Sequence, residues 1–266
     1  EKSLAIYPDY AEAHSNLGLA IQNLGRVDEA AVHFRKALAL KPDYAEAYSN
    51  LGVALKELGQ IEEAAASYEK AIKLKPSYVE TYNNLGLILA EKGQFEEAVG
   101  VYNQALSWNP DLEEVLSNLG VALVQLGRVD DAIACYQRVL KLRPDNAEIH
   151  YNLGLAAEEK GSLEEAKASY QKAISHKSDL VLAHNNLGNV LKDLGCLKDA
   201  VASYEQALTF KPDYADAHNN LGNAYKELGQ YQKAINRYHK TIELDPNYLA
   251  AHNNLGIAFL ETDKLR

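Results

Sequence analysis

The sequence has little of what redox, metal or membrane chemistry requires. Its 266 residues include two cysteines, one tryptophan and no methionine. Because Cys135 and Cys196 cannot form a framework of several disulfides, we predict a cytoplasmic or other reducing intracellular location. No apolar run approaches the roughly 20 residues of a membrane helix, and no basic-then-apolar signal segment opens the chain. These absences predict that the protein has no membrane partner.

Basic residues are scarce relative to acidic ones. The chain carries 27 Lys and Arg against 37 Asp and Glu, which gives a formal net charge of −10. A surface of this sign repels a phosphate backbone. We therefore predict no nucleic-acid partner, and RNA binding by a helical repeat array is disfavoured for the same reason.

Catalytic signatures are missing as well. The sequence contains no dinucleotide-binding glycine motif, phosphate-binding loop, zinc-protease helix motif or nucleophile elbow. We therefore expect no catalytic residues, no metal, no cofactor and no enzymatic activity. Because the chain begins at Glu1 and lacks methionine, we also expect it to be part of a longer protein.

What the sequence does contain is a strict period. The triplet Asn-Leu-Gly recurs every 34 residues, and it begins at Asn16, Asn50, Asn84, Asn118, Asn152, Asn186, Asn220 and Asn254. When Ala11 is taken as position 1, Gly fills position 8 of every unit. The seven complete units also have Gly at position 15, Ala at position 20 and Phe or Tyr at position 24. Position 32 is Pro except at Ser178. A fixed period of this length indicates stacked repeats.

These positions predict a helical hairpin in each unit, with helix A over positions 1–14 and helix B over positions 18–31. Gly at position 15 suits the left-handed residue that ends a helix, and Pro at position 32 stops helix B. Gly at position 8 and Ala at position 20 allow the two helices to approach closely, and the aromatic residue at position 24 fills the space between them. Capping boxes are predicted at Asp9, Asp43 and Asp145. Trp108, at position 30, is expected to pack between repeats.

A hairpin this short cannot bury both of its faces, so neighbouring hairpins must stack and share a core. We therefore predict an all-α solenoid.

The repeat resembles the tetratricopeptide repeat (TPR). The signature residues of the first unit are Leu17, Gly18, Ala30, Phe34, Ala37 and Pro42. The sequence departs from the family at position 4, where its usual Trp is replaced by His or Tyr, and once by Leu116. The resemblance covers the whole chain. It implies a right-handed superhelix of helix-turn-helix units, with helix A lining the concave face.

The repeat boundaries follow from the period. We expect a single array over residues 1–266, in which residues 1–10 are the remnant of a preceding repeat and residues 249–266 a partial eighth. The seven complete repeats are expected at 11–44, 45–78, 79–112, 113–146, 147–180, 181–214 and 215–248.

The asparagine at position 6 of every repeat, which we call the rung asparagine, is the main candidate for binding. Helix interiors disfavour Asn, and its carboxamide can pair with both the N–H and the C=O of an extended peptide. The resulting ladder resembles that of O-linked N-acetylglucosamine transferases. Alternatively, the rung asparagines bond to backbone or water across a repeat junction.

Further asparagines cluster at positions 5 and 9 of the last repeats. With the neighbouring rungs they form a predicted amide patch, which consists of Asn185, Asn186, Asn189, Asn219, Asn220, Asn223, Asn253 and Asn254. The patch is either the best peptide site or a solvated polar face. Carboxylates at positions 2 and 13 border the groove, so we expect a neutral or basic protein or peptide partner.

The histidines and cysteines are expected to be structural. Five of the eight histidines occupy position 4, and helices about 10 Å apart cannot place two of them on one zinc. The cysteines lie in different repeats without a CxxC pattern. We predict packing roles for the histidines and no metal site.

Three functions remain open from the sequence. The first is a protein-interaction scaffold that binds an extended peptide in its groove. The second is the substrate-recognition arm of a multidomain glycosyltransferase. The third is self-association through uncapped ends of the array.

Overall fold

The computed structural model describes residues 10–264, and every regular element in this range is an α-helix. Residues 1–9, which hold most of the predicted preceding repeat and the Asp9 cap, lie outside the described residues. None of the helices in residues 10–264 combines the length and apolarity that a membrane span requires. The all-α fold class is confirmed.

The helices alternate between A and B hairpin arms. In chain order the A helices are α1 (Ala11–Gln22), α3 (Ala45–Glu57), α5 (Val79–Glu91), α7 (Glu113–Gln125), α9 (Ala147–Glu159), α11 (Val181–Asp193), α13 (Ala215–Glu227) and α15 (Leu249–Lys264). The B helices are α2 (Val27–Leu40), α4 (Ile61–Leu74), α6 (Phe95–Trp108), α8 (Val129–Leu142), α10 (Leu163–His176), α12 (Leu197–Phe210) and α14 (Tyr231–Leu244). Helix B thus starts and ends one position earlier than predicted.

The glycine at position 15 ends helix A as predicted. Gly25, Gly93 and Gly195 have φ of 77°, 74° and 77°, a left-handed conformation that a side chain would disfavour. The N–H of each next residue bonds back into helix A, as Arg26 does to the Ile21 carbonyl at 3.2 Å.

The capping-box prediction is wrong at Asp43 and Asp145. Because α3 begins at Ala45, the capping residue is Tyr44 and Asp43 lies one residue too early, so Tyr44 makes no side-chain cap bond. Asp145 is displaced in the same way, and the cap of α9 is Asn146, whose Oδ1 accepts from the Ile149 N–H at 3.2 Å.

The chain divides into two compact units, one up to Arg138 and one from Val139 onward. In the first unit, the helices from α1 to α7 pack in sequence order, and α1 also contacts α3. In the second unit, the helices from α9 to α15 do the same, and α11 contacts α13. Helices A therefore form the more tightly spaced row in each unit, as expected for its inner side.

The aromatic residue at position 24 packs directly on the glycine at position 8. A Cβ added to Gly86 would lie 2.3 Å from Tyr102 Cε1, and one added to Gly188 would lie 2.5 Å from Tyr204 Cε1. Both rings are fully buried. The predicted close approach of helices A and B is confirmed in both units.

The prediction for Trp108 is wrong, because its side chain is 54% exposed. Trp108 is the last residue of α6, and Leu40, Leu74 and Phe210 are similarly exposed at the corresponding position of their helices. Position 30 therefore points to solvent at the end of helix B.

Candidate functional site

The rung asparagines lie in register on the successive A helices. Asn16 is exposed, and the other seven are half-buried. The asparagines at position 5 lie deeper, since Asn83, Asn185 and Asn219 are buried whereas Asn253 is exposed. The two positions therefore have different surroundings.

Four rung asparagines hydrogen-bond to position 5 of the preceding repeat. Asn118 Nδ2 donates to Asn83 Oδ1 at 2.9 Å in the first unit. In the second unit, Asn220 Nδ2 donates to Asn185 Oδ1 at 3.2 Å and Asn254 Nδ2 to Asn219 Oδ1 at 3.3 Å. Asn186 Nδ2 reaches the hydroxyl of Tyr151 at 3.4 Å. These bonds join the A helices of consecutive repeats.

The remaining rungs make no side-chain hydrogen bond within residues 10–264: Asn16, Asn50, Asn84 and Asn152. The residue at position 5 of the preceding repeat accounts for the difference. For Asn50 and Asn84 this residue is Ser15 or Ser49 instead of Asn or Tyr, and the Ser49 hydroxyl already accepts from Thr81 Oγ1 at 3.0 Å. This signal is present in the sequence as a pair of residues 35 apart.

The asparagines at position 9 bond within their own hairpin. The Tyr204 hydroxyl donates to Asn189 Oδ1 at 2.8 Å, and the Tyr238 hydroxyl donates to Asn223 Oδ1 at 2.9 Å. Both asparagines are half-buried. The sequence predicts these tyrosines between the two helices, but it does not predict that their hydroxyls reach the A-helix face.

Several carboxylates that border the face are already paired. Lys41 Nζ lies 3.0 Å from Glu12 Oε1, and Lys75 Nζ lies 2.6 Å from Glu46 Oε1. The hydrogen bond from Lys75 is the main cause that lowers the pKa of Glu46. Glu114 accepts from Asn83 Nδ2 at 2.8 Å. Fewer of these carboxylates are therefore available to a ligand than the sequence suggests.

A cleft of about 340 Å³ opens between α5 and α7 in the first unit. It contains one rung asparagine and the buried asparagine next to it, and its lining is Val79, Glu80, Asn83, Asn84, Leu112, Glu114 and Val115. The cleft combines amide, carboxylate and aliphatic groups on the predicted binding face.

The histidines at position 4 form hydrogen bonds between helix A and the loop before it. The Nε2–H of His150 donates to the Pro144 carbonyl at 2.9 Å, and that of His218 to the Pro212 carbonyl at 3.0 Å. Burial is the main cause that lowers the pKa of both rings. The packing prediction is confirmed for these two and for His184, which is also buried, whereas His252 is exposed.

Metal ligands do not converge in the described part of the chain, where no group of three His, Cys, Asp or Glu side chains could hold an ion. Cys135 is buried and Cys196 is exposed, and burial raises the pKa of the Cys135 thiol.

Comparison with known families identifies the repeat. The model of the TPR repeat matches residues 23–59, 54–93, 86–127, 122–161, 158–195, 188–229 and 222–263. The chain belongs to the TPR family. The resemblance predicted from the sequence is therefore confirmed, and the chain has the repeat architecture of a protein-interaction scaffold.

Solved TPR structures share this fold. MamA is 27% identical with a TM-score of 0.58, covering 63% of this chain and 92% of MamA. The C-terminal part of a TPR protein from Cytophaga hutchinsonii is 19% identical with a TM-score of 0.74, covering 91% and 99% of the two chains. The APC/C hetero-tetramer Cut9–Hcn1 is 19% identical with a TM-score of 0.65, covering 96% of this chain and 50% of that one. Comparison with curated proteins gave no significant match.

Proposed function

We propose that this TPR protein binds an extended segment of a partner protein along its A-helix face, through the rung asparagines, and that it does so without catalysis. The observation that carries the proposal is the recurrence of a half-buried or exposed carboxamide at one position of eight consecutive A helices. Such a group can donate to and accept from a peptide backbone without reading its side chains.

The spacing of the repeats supports an extended partner. Packed helices lie roughly 8–10 Å apart, and an extended chain advances about 3.3 Å per residue. One rung therefore meets about every third residue of a bound segment. Asn50 and Asn84, in the first unit, have both amide atoms available for this contact.

The charge of the face favours a neutral or basic partner. Glu80 and Glu148 are exposed at position 2 and, within residues 10–264, form no ion pair with a lysine, unlike Glu12 and Glu46. An acidic segment would meet these carboxylates at close range, where like charges repel. The net charge of −10 acts in the same direction.

Selection from a displayed library of random 12-residue peptides on the wild-type protein tests the proposal. The tightest peptides are then titrated against two double variants, Asn50→Ala with Asn84→Ala in the first unit and Asn220→Ala with Asn254→Ala in the second. We expect at least one peptide to lose about tenfold in affinity with one double variant, because each lost amide bond contributes roughly 0.5–1.5 kcal/mol.

The first double variant is the better diagnostic, because it removes no hydrogen bond of the folded protein. If no peptide is selected, or if every selected peptide binds both double variants as tightly as the wild type, the ladder is not a peptide site. Melting curves of both variants separate a lost contact from a lost fold.

Self-association is a second candidate, which the exposed apolar face of α15 favours. Phe259 is 47% exposed and Leu260 is 64% exposed, and nothing lies within 4 Å of a Cβ built on Gly256. Light scattering across a hundredfold range of concentration would show a rising mass if this face joins two copies. Phe259→Asp with Leu260→Asp should abolish the rise, and a constant mass for the wild type would remove the candidate.

A further inference from the structure

The tyrosines at position 24 behave differently in the two units. In the second unit the hydroxyls of Tyr204 and Tyr238 donate to Asn189 and Asn223 on helix A. In the first unit the Tyr102 hydroxyl is buried without a hydrogen-bond partner, because position 9 of its repeat is Leu87. The position-24 hydroxyl therefore bonds to position 9 only where that residue is Asn. In the repeat that has Leu155 there, the Tyr170 hydroxyl donates to Glu158 instead.

Each tyrosine bond fixes the orientation of an amide. A hydroxyl that donates to Asn223 Oδ1 holds the oxygen toward helix B, which leaves the NH₂ group as the end of the amide available to a ligand. Within residues 10–264, neither Asn189 Nδ2 nor Asn223 Nδ2 bonds to another side chain or carbonyl. Since both residues are half-buried, this end of the amide has access to the groove.

The rung asparagine three residues earlier has the opposite polarity. Asn220 Nδ2 donates to the buried Asn185 Oδ1 of the preceding repeat, so Asn220 Oδ1 is the available end. Residues three apart are neighbours on one helix face. Asn220 and Asn223 thus present an acceptor and a pair of donors side by side.

We propose that Tyr204 and Tyr238 are positioning residues that set the polarity of this face. By holding Asn189 and Asn223 as donors, they make the second unit select an extended backbone whose carbonyl oxygens meet position 9, while a neighbouring N–H meets Oδ1 of the rung Asn220. The oxygen of the rung Asn186, in contrast, already accepts from Asn185 Nδ2 at 3.3 Å. This inference rests on the proposed function and adds to it which end of each amide meets which backbone group.

A double-mutant cycle tests the proposal. The probe is a selected 12-residue peptide whose affinity the variant Asn220→Ala lowers, titrated calorimetrically against Tyr204→Phe, Asn189→Ala and the double variant. We expect Tyr204→Phe to weaken binding about three- to tenfold, because it frees the amide to rotate. In the Asn189→Ala background the same change should have no effect, since the tyrosine acts only through that amide. Tyr102→Phe is the matched control and should bind as the wild type does.

A second experiment tests whether Asn189 acts as the hydrogen-bond donor. Replacing one peptide bond of the probe by an ester weakens the carbonyl of that bond as a hydrogen-bond acceptor. We therefore expect that, in a series of probes with the ester at successive positions, one probe binds the wild type more weakly than the unmodified peptide does. The same probe should bind Asn189→Ala as tightly as the unmodified peptide does. A Tyr204→Phe variant that binds like the wild type, or that weakens binding equally in both backgrounds, overturns the positioning role while the proposed function stands. If no selected peptide responds to Asn220→Ala, the second unit is not a peptide site and both ideas fail for it.

Discussion

The two compact units share one helical hairpin but differ in the polar groups on its A-helix face. Both place a ring at position 24 against a glycine at position 8, as at Gly86 and Gly188. In the first unit, position 9 is aliphatic, and Leu19 and Val121 are exposed there. In the second unit, Asn189 and Asn223 occupy it in the two middle A helices and bond to tyrosine hydroxyls, whereas Leu155 and Ile257 occupy it in the outer two. The hairpin tolerates this exchange because position 9 is half-buried or exposed in every repeat.

The cross-repeat bonds follow the same division. In the first unit Asn118 has such a bond, whereas in the second unit Asn186, Asn220 and Asn254 have one and Asn152 does not. A rung that is bonded within the fold has a fixed orientation, and an unbonded rung can rotate to suit its ligand. We therefore expect the second unit to be the more selective and the first the more permissive.

The largest expected effect tests what the units share. Gly86→Ala and Gly188→Ala should each destabilise the protein by about 1–3 kcal/mol or more, because the new Cβ would overlap a buried ring. Denaturant unfolding measures the loss, and hydrogen exchange should show it within the altered unit. Gly256→Ala is the control, with open space around its Cβ and an expected gain of up to about 1 kcal/mol. An unchanged unfolding curve for either core variant would contradict the shared packing.

The next effect separates the units by their rungs. Asn220→Ala with Asn254→Ala leaves two buried oxygens of Asn185 and Asn219 unpaired, which should cost about 1–3 kcal/mol at each site. Asn50→Ala with Asn84→Ala breaks no bond and should gain up to about 0.7 kcal/mol per site from helix propensity. Equal melting temperatures for the two double variants would show that the cross-repeat bonds contribute nothing.

Removing a tyrosine hydroxyl should change the stability by a smaller amount, and in opposite directions for Tyr204 and Tyr102. Tyr204→Phe removes a hydrogen bond and should destabilise by roughly 1 kcal/mol. Tyr102→Phe removes a buried hydroxyl that has no partner, so stability should stay level or rise by about 1 kcal/mol. Chemical denaturation at neutral pH compares them, and a loss of stability in Tyr102→Phe would mean that its hydroxyl is paired after all.

The smallest expected effect is a response to acid from the second unit. Burial lowers the pKa of His150 and His218 in the folded state, so the unfolded chain binds more protons than the folded one once the pH falls below about 6.5. Stability should therefore be unaffected by these groups above that pH and decline below it. The charged neighbours of His218, which are Arg237, Lys240 and Glu243, add smaller contributions.

Tyrosine is the matched replacement, because Tyr48 and Tyr82 occupy position 4 in the first unit. His150→Tyr with His218→Tyr should flatten the dependence of the melting temperature on pH between 7.5 and 5 relative to the wild type. If the wild type and the variant lose stability in parallel, the acid response comes from other groups.

Most of the fold could be predicted from the sequence. The period of 34 residues, the glycines at positions 8 and 15 and the ring at position 24 predicted the hairpin and its turn. The errors are local and have physical causes. Asp43 and Asp145 do not cap helix A because each lies two residues before its first residue, and Trp108 is exposed because helix B ends there. Residue patterns locate an element well, but its last residue depends on backbone geometry.

Part of the candidate site could likewise be predicted from the sequence, and part could not. The sequence by itself determined that a carboxamide recurs on one face of each A helix, because position 6 repeats in register. Only the tertiary structure decided which amides are bonded within the fold, since this depends on which side chain faces the rung across the repeat junction and on what else that side chain bonds. The reach of Tyr204 to Asn189 was likewise decided by packing, because a hydroxyl at the tip of a buried ring has no direction until helices A and B are in place.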